Sequence, residues 1–425
     1  MSKILVDTNL LLDDPEIIFK LRAEYDIIVL SIVVLKELDK HKFNPDLSYS
    51  ARQAIRAILE FKMMYPDQLE FIVNTTDLSN NDELIIAAAE KTGATVATKD
   101  MSMTLIAESK GINTKLYSNT EADIYNPYVY FEEAELVDKF EYLQRYTDAK
   151  YLEVMQYLEE TQGASRSGWF FMFVNNNDTT VTIYANNPKI STFERIDNIP
   201  KYKVMGNRDF KLEAKDQYQM CAFYALENAD NLLLTGKWGS GKSLISTAYC
   251  VSYNKKKTFI ARPPVGIDRK YQIGYLPGGV FDKLSSWAMG FLSSLYFLFG
   301  NTQNQEKDNQ AFDYVKSEMF TKYFELIDIN SIQGLSLLDD VLMVDECQLC
   351  TISLLSSILS RATDESKIIL TGDLVQSFGN IRSSESGLLK LLRSLPHESM
   401  AFVDLKTSYR SKLTELADKL QDKSF

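Results

Sequence analysis

The run "NLLLTGKWGSGKSLISTAY", residues 231–249, decides the fold. A short apolar stretch ends in a glycine-rich turn, then Lys-Ser, then a segment of helical period. A buried strand that turns through glycines into a helix is the layout of a phosphate-binding unit. Gly236, Gly241, Lys242 and Ser243 satisfy G-x-x-x-x-G-K-[ST], with Gly239 and Ser240 inside the loop. The glycines let backbone N–H groups curl around phosphates. Lys242 is expected to reach the β- and γ-phosphates of ATP, and Ser243 to hold Mg²⁺. Trp238 receives no role from this reading.

Two further strands extend the site. "DDVLMVDE" delivers Asp345 to support Mg²⁺ from behind its direct ligands and Glu346 to orient or deprotonate the attacking water. "KIILTGD" ends in Asp373, with Gln376 one turn later, a polar pair suited to sensing the γ-phosphate. Three motifs in this order predict ATP hydrolysis. "TFIARP" and "AFVDLK" read as strands of the same parallel sheet, and the polar stretch 300–310 reads as a surface loop.

The stretches "RPPVGIDRKYQIGYLPGG", "DECQ", "LTGDLVQ", "SESGL" and "YRSKLTELA" together resemble the PhoH family of ATPases, relatives of helicases. The resemblance implies a RecA-like P-loop domain. It implies adenine recognition by Gln219, with Gln217 as the alternative, and places Arg262, Arg361 and Arg410 at γ-phosphate or intersubunit contacts. It also implies a ring of subunits, a hexamer. The chain departs from the family in "SIQGLS", where Gln333 and Leu335 stand in place of arginines, and in "DECQL", where the family has Asn after Gln.

Toward the N-terminus the pattern alternates again. "KILVDTN", "DIIVLS", "LEFIV", "ATVAT" and "TKLYS" read as strands, separated by helical stretches such as "VVLKELDKHK" and "DELIIAAAEKTG". Such alternation predicts a parallel sheet covered on both faces. Asp7 ends the first strand, Glu37 lies on the first helix, Asp82 starts a helix and Asp100 follows a strand. Strand C-termini and helix N-termini share one sheet edge, so these acids are candidates to converge. Close carboxylates repel unless cations neutralise them, and hard oxygen donors suit Mg²⁺ or Mn²⁺. Separately, each acid also has a structural reading: helix cap for Asp82, turn for Asp100, surface charge for Glu37.

"LVDTNLLLDDP", "VVLKELDKHK", "NNDELIIAAAE" and "VATKDMSM" resemble, in order, the PIN domain, a metal-dependent RNase fold. The resemblance implies Asp7, Glu37, Asp82 and Asp100 as the metal-binding set, supported by Thr8, Asn9 and Thr98. Asp13, Asp14 and Asp39 are read as capping or solvated acids.

Between these halves, "SGWFFMFVNNNDTTVTIYANN" reads as a hairpin around an Asn-rich turn. Its aromatics are more readily core than base-stacking platforms. The expected organisation is α/β: a PIN-like α/β/α domain over 1–118, a β-containing connector over 119–207, and the RecA-like ATPase domain over 208–425. The best match for the whole chain is the fused PIN–PhoH family.

Bulk properties fit this division. With 425 residues, 45% hydrophobic and 24% charged, the chain reads as globular with more than one domain. No membrane-length apolar run and no signal-peptide layout appear, so the cytoplasm is the expected compartment. A net charge of −12 argues against whole-molecule attraction to nucleic acid but not against a local channel. Cys347 and Cys350 form a C-x-x-C; with Cys221 and Cys250 scattered and only His41 and His397 present, a packed pair is preferred over a zinc site. The leading expectation is an ATP-driven motor acting on single-stranded RNA coupled to a metal-dependent endoribonuclease. The alternatives are an RNA remodeller whose front domain binds without cutting, and a nucleotide-sensing scaffold. The sequence identifies no antitoxin-like partner.

Overall fold

The computed structural model describes residues 2–43, 47–73, 80–117, 124–132, 148–175, 180–196, 202–203, 211–252, 257–263, 289–300, 305–314, 324–334, 336–374 and 385–409. The chain divides into two units, one over 1–123 with 381–385, the other over 124–380 with 386–425.

In the first unit, strands β1 (Lys3–Val6), β2 (Ile27–Ser31), β3 (Leu69–Ile72), β4 (Thr95–Thr98) and β5 (Thr114–Leu116) form one sheet in the order β3-β2-β1-β4-β5. Every pair is parallel. The central strands are nearly continuous apolar runs because helices cover both faces. Ile4, Leu5, Val6, Val29, Leu30 and Val96 are fully buried. Each large aliphatic side chain so buried stabilises the fold by roughly 1.5–3 kcal/mol. The helices are α1 (Thr8–Asp13), α2 (Ile17–Leu21), α3 (Ile32–His41), α4 (Ser48–Met64), α5 (Asn81–Thr92) and α6 (Met101–Ser109). Three of them start at the strands' C-terminal edge under side-chain caps. Ser31 Oγ accepts from Val33 N, Asn80 from Asp82 N, and Asp100 from Ser102 N and Met103 N.

The second unit holds two larger sheets. The first comprises β6 (Tyr128–Glu132), β7 (Phe170–Asn175), β8 (Val181–Asn187) and β9 (Thr192–Arg195), with β6 parallel to β7 and the rest antiparallel. The β7–β8 pair is the expected hairpin. Its side chains alternate between two cores. Phe171, Phe173, Ile183 and Ala185 join a cluster with Cys221 and Phe223. Phe170, Met172, Val174 and Tyr184 pack with Tyr151, Val154, Met155 and Leu158 of helix α7 (Asp148–Gln162). The hairpin's aromatics Phe170, Phe171, Phe173 and Tyr184 are therefore core, whereas Tyr130 of β6 is exposed.

A short ribbon of β10 (Tyr202–Lys203) and β11 (Lys211–Leu212) precedes helix α8 (Gln217–Asn228). The second sheet contains β12 (Asn231–Gly236), β13 (Thr258–Ala261), β14 (Phe324–Leu326), β15 (Val341–Val344), β16 (Lys367–Gly372) and β17 (Met400–Leu405). Its order is β14-β13-β15-β16-β12-β17, all parallel. Helix α9 (Lys242–Ser252) leaves β12 through the glycine loop. One expectation is corrected here. The polar stretch 300–310 is not all loop, because a helix, Gln305–Tyr314, begins within it. Glu306 and Asp308 in its first turn complement the helix dipole, a local signal that polarity alone conceals. Among the described residues, no helix is long and apolar enough to cross a membrane.

Candidate functional site

The first candidate site lies at the C-terminal edge of the five-stranded sheet. Asp7 immediately follows β1 and is 2% exposed. Thr98, ending β4, donates its hydroxyl to Asp7 Oδ2 at 2.9 Å and accepts from Asp100 N at 3.0 Å. One threonine thus fixes two of the four acids. On α3, Glu37 accepts from Thr8 Oγ1 through one carboxylate oxygen and from Asn81 Nδ2, at 2.7 Å, through the other.

Burial pushes the Asp7 carboxyl up to about 6, and the negative fields of Asp82 and Glu37 add to that rise against the hydrogen bonds from Thr98 and Thr8. Asp82 is also raised, by burial and by the charges of Asp100 and Glu37. Asp82 and Glu37 thus act on Asp7, and Asp100 and Glu37 act on Asp82. A set of hard carboxylate oxygens around an under-compensated buried acid fits a divalent cation. Among the described residues, however, no three acids, histidines or cysteines are drawn together tightly enough to hold an ion. Protein donors hold Glu37 and Asp100 instead.

The supporting residues separate. Thr8 and Thr98 are buried in the cluster, whereas Asn9 is exposed. Asp13 pairs with Lys99 at 2.9 Å, Asp14 with Lys20 at 3.1 Å and Asp39 with Lys42 at 2.6 Å. These three acids are surface partners of lysines. Asn81 is a contact that residue-type reasoning missed. Its only sequence signal was its place beside Asp82 in "NNDE".

The second candidate site surrounds the glycine loop. Gly236 has φ 147°, and a Cβ there would stand 2.6 Å from Leu405 O. Only glycine fits that position. Lys242 Nζ donates to Gly236 O at 2.5 Å and Lys237 O at 2.9 Å. Its bonds go to carbonyls rather than to a carboxylate, which leaves its positive charge available to an anion. Burial lowers its pKa, against the opposing pull of Asp373, Glu346, Asp345 and Asp404.

Asp345 Oδ1 accepts from Thr371 Oγ1 at 2.5 Å and from Ser243 Oγ at 3.4 Å. The hydroxyl and carboxylate expected to share Mg²⁺ are thus adjacent, and their oxygen chemistry fits that ion. Glu346 sits in the left-handed region at φ 56°, an uncommon backbone that the surroundings must hold in place. Burial raises its pKa, helped by Asp345 and opposed by Arg262, Gln348 and Lys242. Arg262 lies 3.6 Å from Glu346 Oε1.

Gln348 is the main residue missed. It is buried, donates through Nε2 to Glu346 Oε2 at 2.5 Å, and accepts through Oε1 from Asp373 N at 3.1 Å. It ties the acid after β15 to the acid after β16. It was visible as the last letter of "DECQ", but its role needs two strands that are remote in sequence.

Gln219, proposed for adenine, spans Lys215 N (2.8 Å, through Oε1) and Ser240 O (2.9 Å, from Nε2). Beside it, Tyr409 donates to Asp216 Oδ2 at 2.6 Å, and its ring lies 4.9 Å from the Lys215 ammonium. Gln217 begins α8. Arg361, in the turn after the helix Ile352–Leu359, donates back to Ser357 O at 3.4 Å. Gln376, Arg410 and Leu335 lie outside the described residues, as does the side chain of Gln333. All four cysteines are buried and free. Burial holds Cys347 well above the ordinary thiol range and Cys350 up at about 12, as expected for inert packing groups.

Comparison with known proteins agrees with this division. Residues 4–118 match the family model described as PIN domain, and 211–420 match that described as PhoH-like protein. The chain is similar to Protein PhoH2 of Bacillus subtilis strain 168, 26% identical over 473 residues, covering 98% of this chain and 99% of the relative. It is likewise similar to Protein PhoH2 of Thermobispora bispora, 24% identical over 455 residues, covering 98% and 96%. A solved structure, that of the PIN domain endonuclease Utp24, covers 28% of this chain and 86% of its own at 22% identity. Its TM-score of 0.19 is too low to bear on the fold. With one sheet edge carrying clustered acids, another carrying a glycine loop, and both family models in register with them, the chain belongs with the fused PIN–PhoH proteins.

Proposed function

We propose that the protein is an ATP-dependent RNA-processing enzyme, in which a PhoH-type motor acts with a metal-dependent PIN endoribonuclease. The observation that carries the nuclease half is the gathering of acids at one sheet edge: Thr98 bonds both the Asp7 carboxylate and the Asp100 backbone N–H, and Glu37 is held by Thr8, next to Asp7, and by Asn81, next to Asp82. A surface that only bound RNA would favour cations over clustered acids.

In the motor, Lys242, whose hydrogen bonds go to loop carbonyls, offers its ammonium to the β- and γ-phosphates. Ser243 and Asp345 would hold Mg²⁺, which when bound neutralises phosphate charge. Glu346, held by Gln348 and Arg262, orients the attacking water and accepts its proton. Gln219 and the Tyr409 ring flank the loop as contacts for the base, and Arg262, Arg361 and Arg410 serve the γ-phosphate or a neighbouring subunit. In the front domain, Asp7, Glu37, Asp82 and Asp100 would hold Mg²⁺ or Mn²⁺, which supplies polarisation of the phosphodiester and activation of water. Thr98 fixes the acids' orientation. Single-stranded RNA is the substrate, a six-membered ring the working assembly and the cytoplasm its location, all by likeness to the family.

A second reading, in which the front domain binds RNA without cutting it, is favoured by one observation: no three of the described acids are closed up to ion-ligand spacing. The two readings separate on incubation of purified protein with labelled RNA and DNA, with and without ATP, Mg²⁺ and Mn²⁺. Metal-dependent cleavage of RNA supports the first; retention without cleavage under every condition supports the second. Lys242→Ala then tests coupling. It should abolish ATP turnover and slow cleavage of structured RNA while sparing short single strands. An identical response of both substrates would rule out coupling by unwinding.

A further inference from the structure

The glycine loop is gripped from two directions. From α8, Gln219 Nε2 donates to Ser240 O at 2.9 Å. From the end of β17, the segment 405–409 crosses the loop. Ser408 Oγ donates to Trp238 O at 2.7 Å and Tyr409 N to Gly239 O at 3.0 Å. Leu405 O occupies the space that a Cβ on Gly236 would need.

Both grips lead back to the four-stranded sheet. Tyr128, the first residue of β6, donates its hydroxyl to Asp404 O at 2.8 Å and accepts from Asp404 N at 2.9 Å. Asp404 continues the path. Its Oδ1 accepts from Thr235 Oγ1 at 2.6 Å, one residue before the loop's first glycine, and its Oδ2 accepts from Lys406 Nζ at 2.5 Å. The second path runs through aromatic contacts. Tyr128 and Phe173 pack on Tyr218 with ring centroids 5.0 and 5.5 Å away, and the Tyr130 and Tyr218 hydroxyls lie 3.1 Å apart. Tyr218 directly precedes Gln219. Tyr128 is 4% exposed, so its two bonds to Asp404 form at a largely buried side chain. Among the described residues, it also opens the first strand after residue 118.

We propose that the four-stranded sheet sets the geometry of the nucleotide loop, with Tyr128 as a positioning residue that acts through Asp404 and Thr235. The inference rests on the ATPase reading and adds a module that no loop motif specifies. A cradle displaced by a fraction of an ångström grips phosphates less well, so the effect falls on ATP binding more than on the chemical step.

The test is steady-state ATP hydrolysis by the full-length chain. Tyr128→Phe keeps the ring and removes the hydroxyl, and it should raise KM for ATP about 5- to 10-fold with kcat within about two-fold. Tyr151→Phe is the matched lesion. It removes a buried hydroxyl bonded to Asn186 Oδ1 at 2.9 Å, on the opposite face of the same sheet. It should destabilise the fold comparably and leave KM for ATP unchanged. In a Thr235→Val background, Tyr128→Phe should add less than about a two-fold change, because one broken link already severs the path. A wild-type KM in Tyr128→Phe, equal rises in both tyrosine variants, or independent multiplying effects of Tyr128→Phe and Thr235→Val would each overturn the inference. A wild-type chain that hydrolyses no ATP would instead overturn the ATPase reading beneath it.

Discussion

Replacing Gln348 by Leu removes the amide that joins the two acidic strand ends while keeping most of its volume. The wild-type side chain donates to the Glu346 carboxylate at 2.5 Å and accepts from Asp373 N at 3.1 Å. A hydrogen bond to a charged group contributes about 1.5–3 kcal/mol. If that bond fixes Glu346 against the attacking water, its loss appears in the barrier as roughly a 10- to 100-fold fall in kcat. The two hydrogen bonds of Gln348 go to Glu346 and Asp373 rather than to the glycine loop, so KM for ATP should stay within about two-fold. The orphaned Asp373 N–H costs stability separately, about 1–3 kcal/mol, which a denaturation midpoint would show. Phosphate release measured against ATP concentration separates these effects. Turnover at the wild-type rate, or a loss carried wholly by KM, would refute the bridging role of Gln348.

Three other outcomes follow from named contacts. Thr98→Val removes the hydrogen bond to the Asp7 carboxylate and the acceptor of the Asp100 backbone N–H, so RNA cleavage should fall at least about ten-fold while ATP turnover is kept; equal cleavage would remove Thr98 from the site. Glu346→Gln should trap bound ATP with little hydrolysis, observable as retained labelled nucleotide, and rapid turnover would exclude Glu346 as the proton acceptor. Lys367, buried, donates to Leu226 O and Ala229 O, and burial lowers its pKa to about 8. Because the unfolded side chain titrates near 10.4, the unfolded state binds more protons between these values. Stability should therefore rise with pH over that window, by on the order of 3 kcal/mol from this group. Lys367→Met should flatten the rise in urea midpoint between pH 8 and 10; an unchanged rise would show that other groups carry it.

The two parallel sheets were readable because strands buried on both faces are short apolar runs, such as "KILV" and "KIILTG", and each ends at its acid or its loop. The first strand of the middle sheet was not. "YVYFE" pairs with Phe171 and its neighbours, remote in sequence, and nothing local announces that partnership. Helices over Thr8–Asp13 and Ile17–Leu21 were hidden in "TNLLLDDPEIIFKL", where two short apolar runs share no sustained period. In the sites, the residue types that carry charge were legible because Asp7, Asp345 and Asp373 each directly follow an apolar strand. Of their orienters, Thr98 came through the family resemblance, whereas Asn81, Thr371 and Gln348 are ordinary polar residues whose roles exist only once remote elements meet. Asp82 shows the limit of local reading. Its capping role belongs to Asn80, two residues earlier, which leaves the Asp82 carboxylate free to face the other acids.

The most direct test of the account is cleavage of labelled single-stranded RNA in Mg²⁺ or Mn²⁺ by wild type and by Asp7→Asn, purified in parallel, with ATP hydrolysis followed in the same samples. The account predicts metal-dependent cutting by the wild type, a loss of two orders of magnitude or so in the variant, and equal ATP turnover in both. Equal cutting by the two proteins would contradict it.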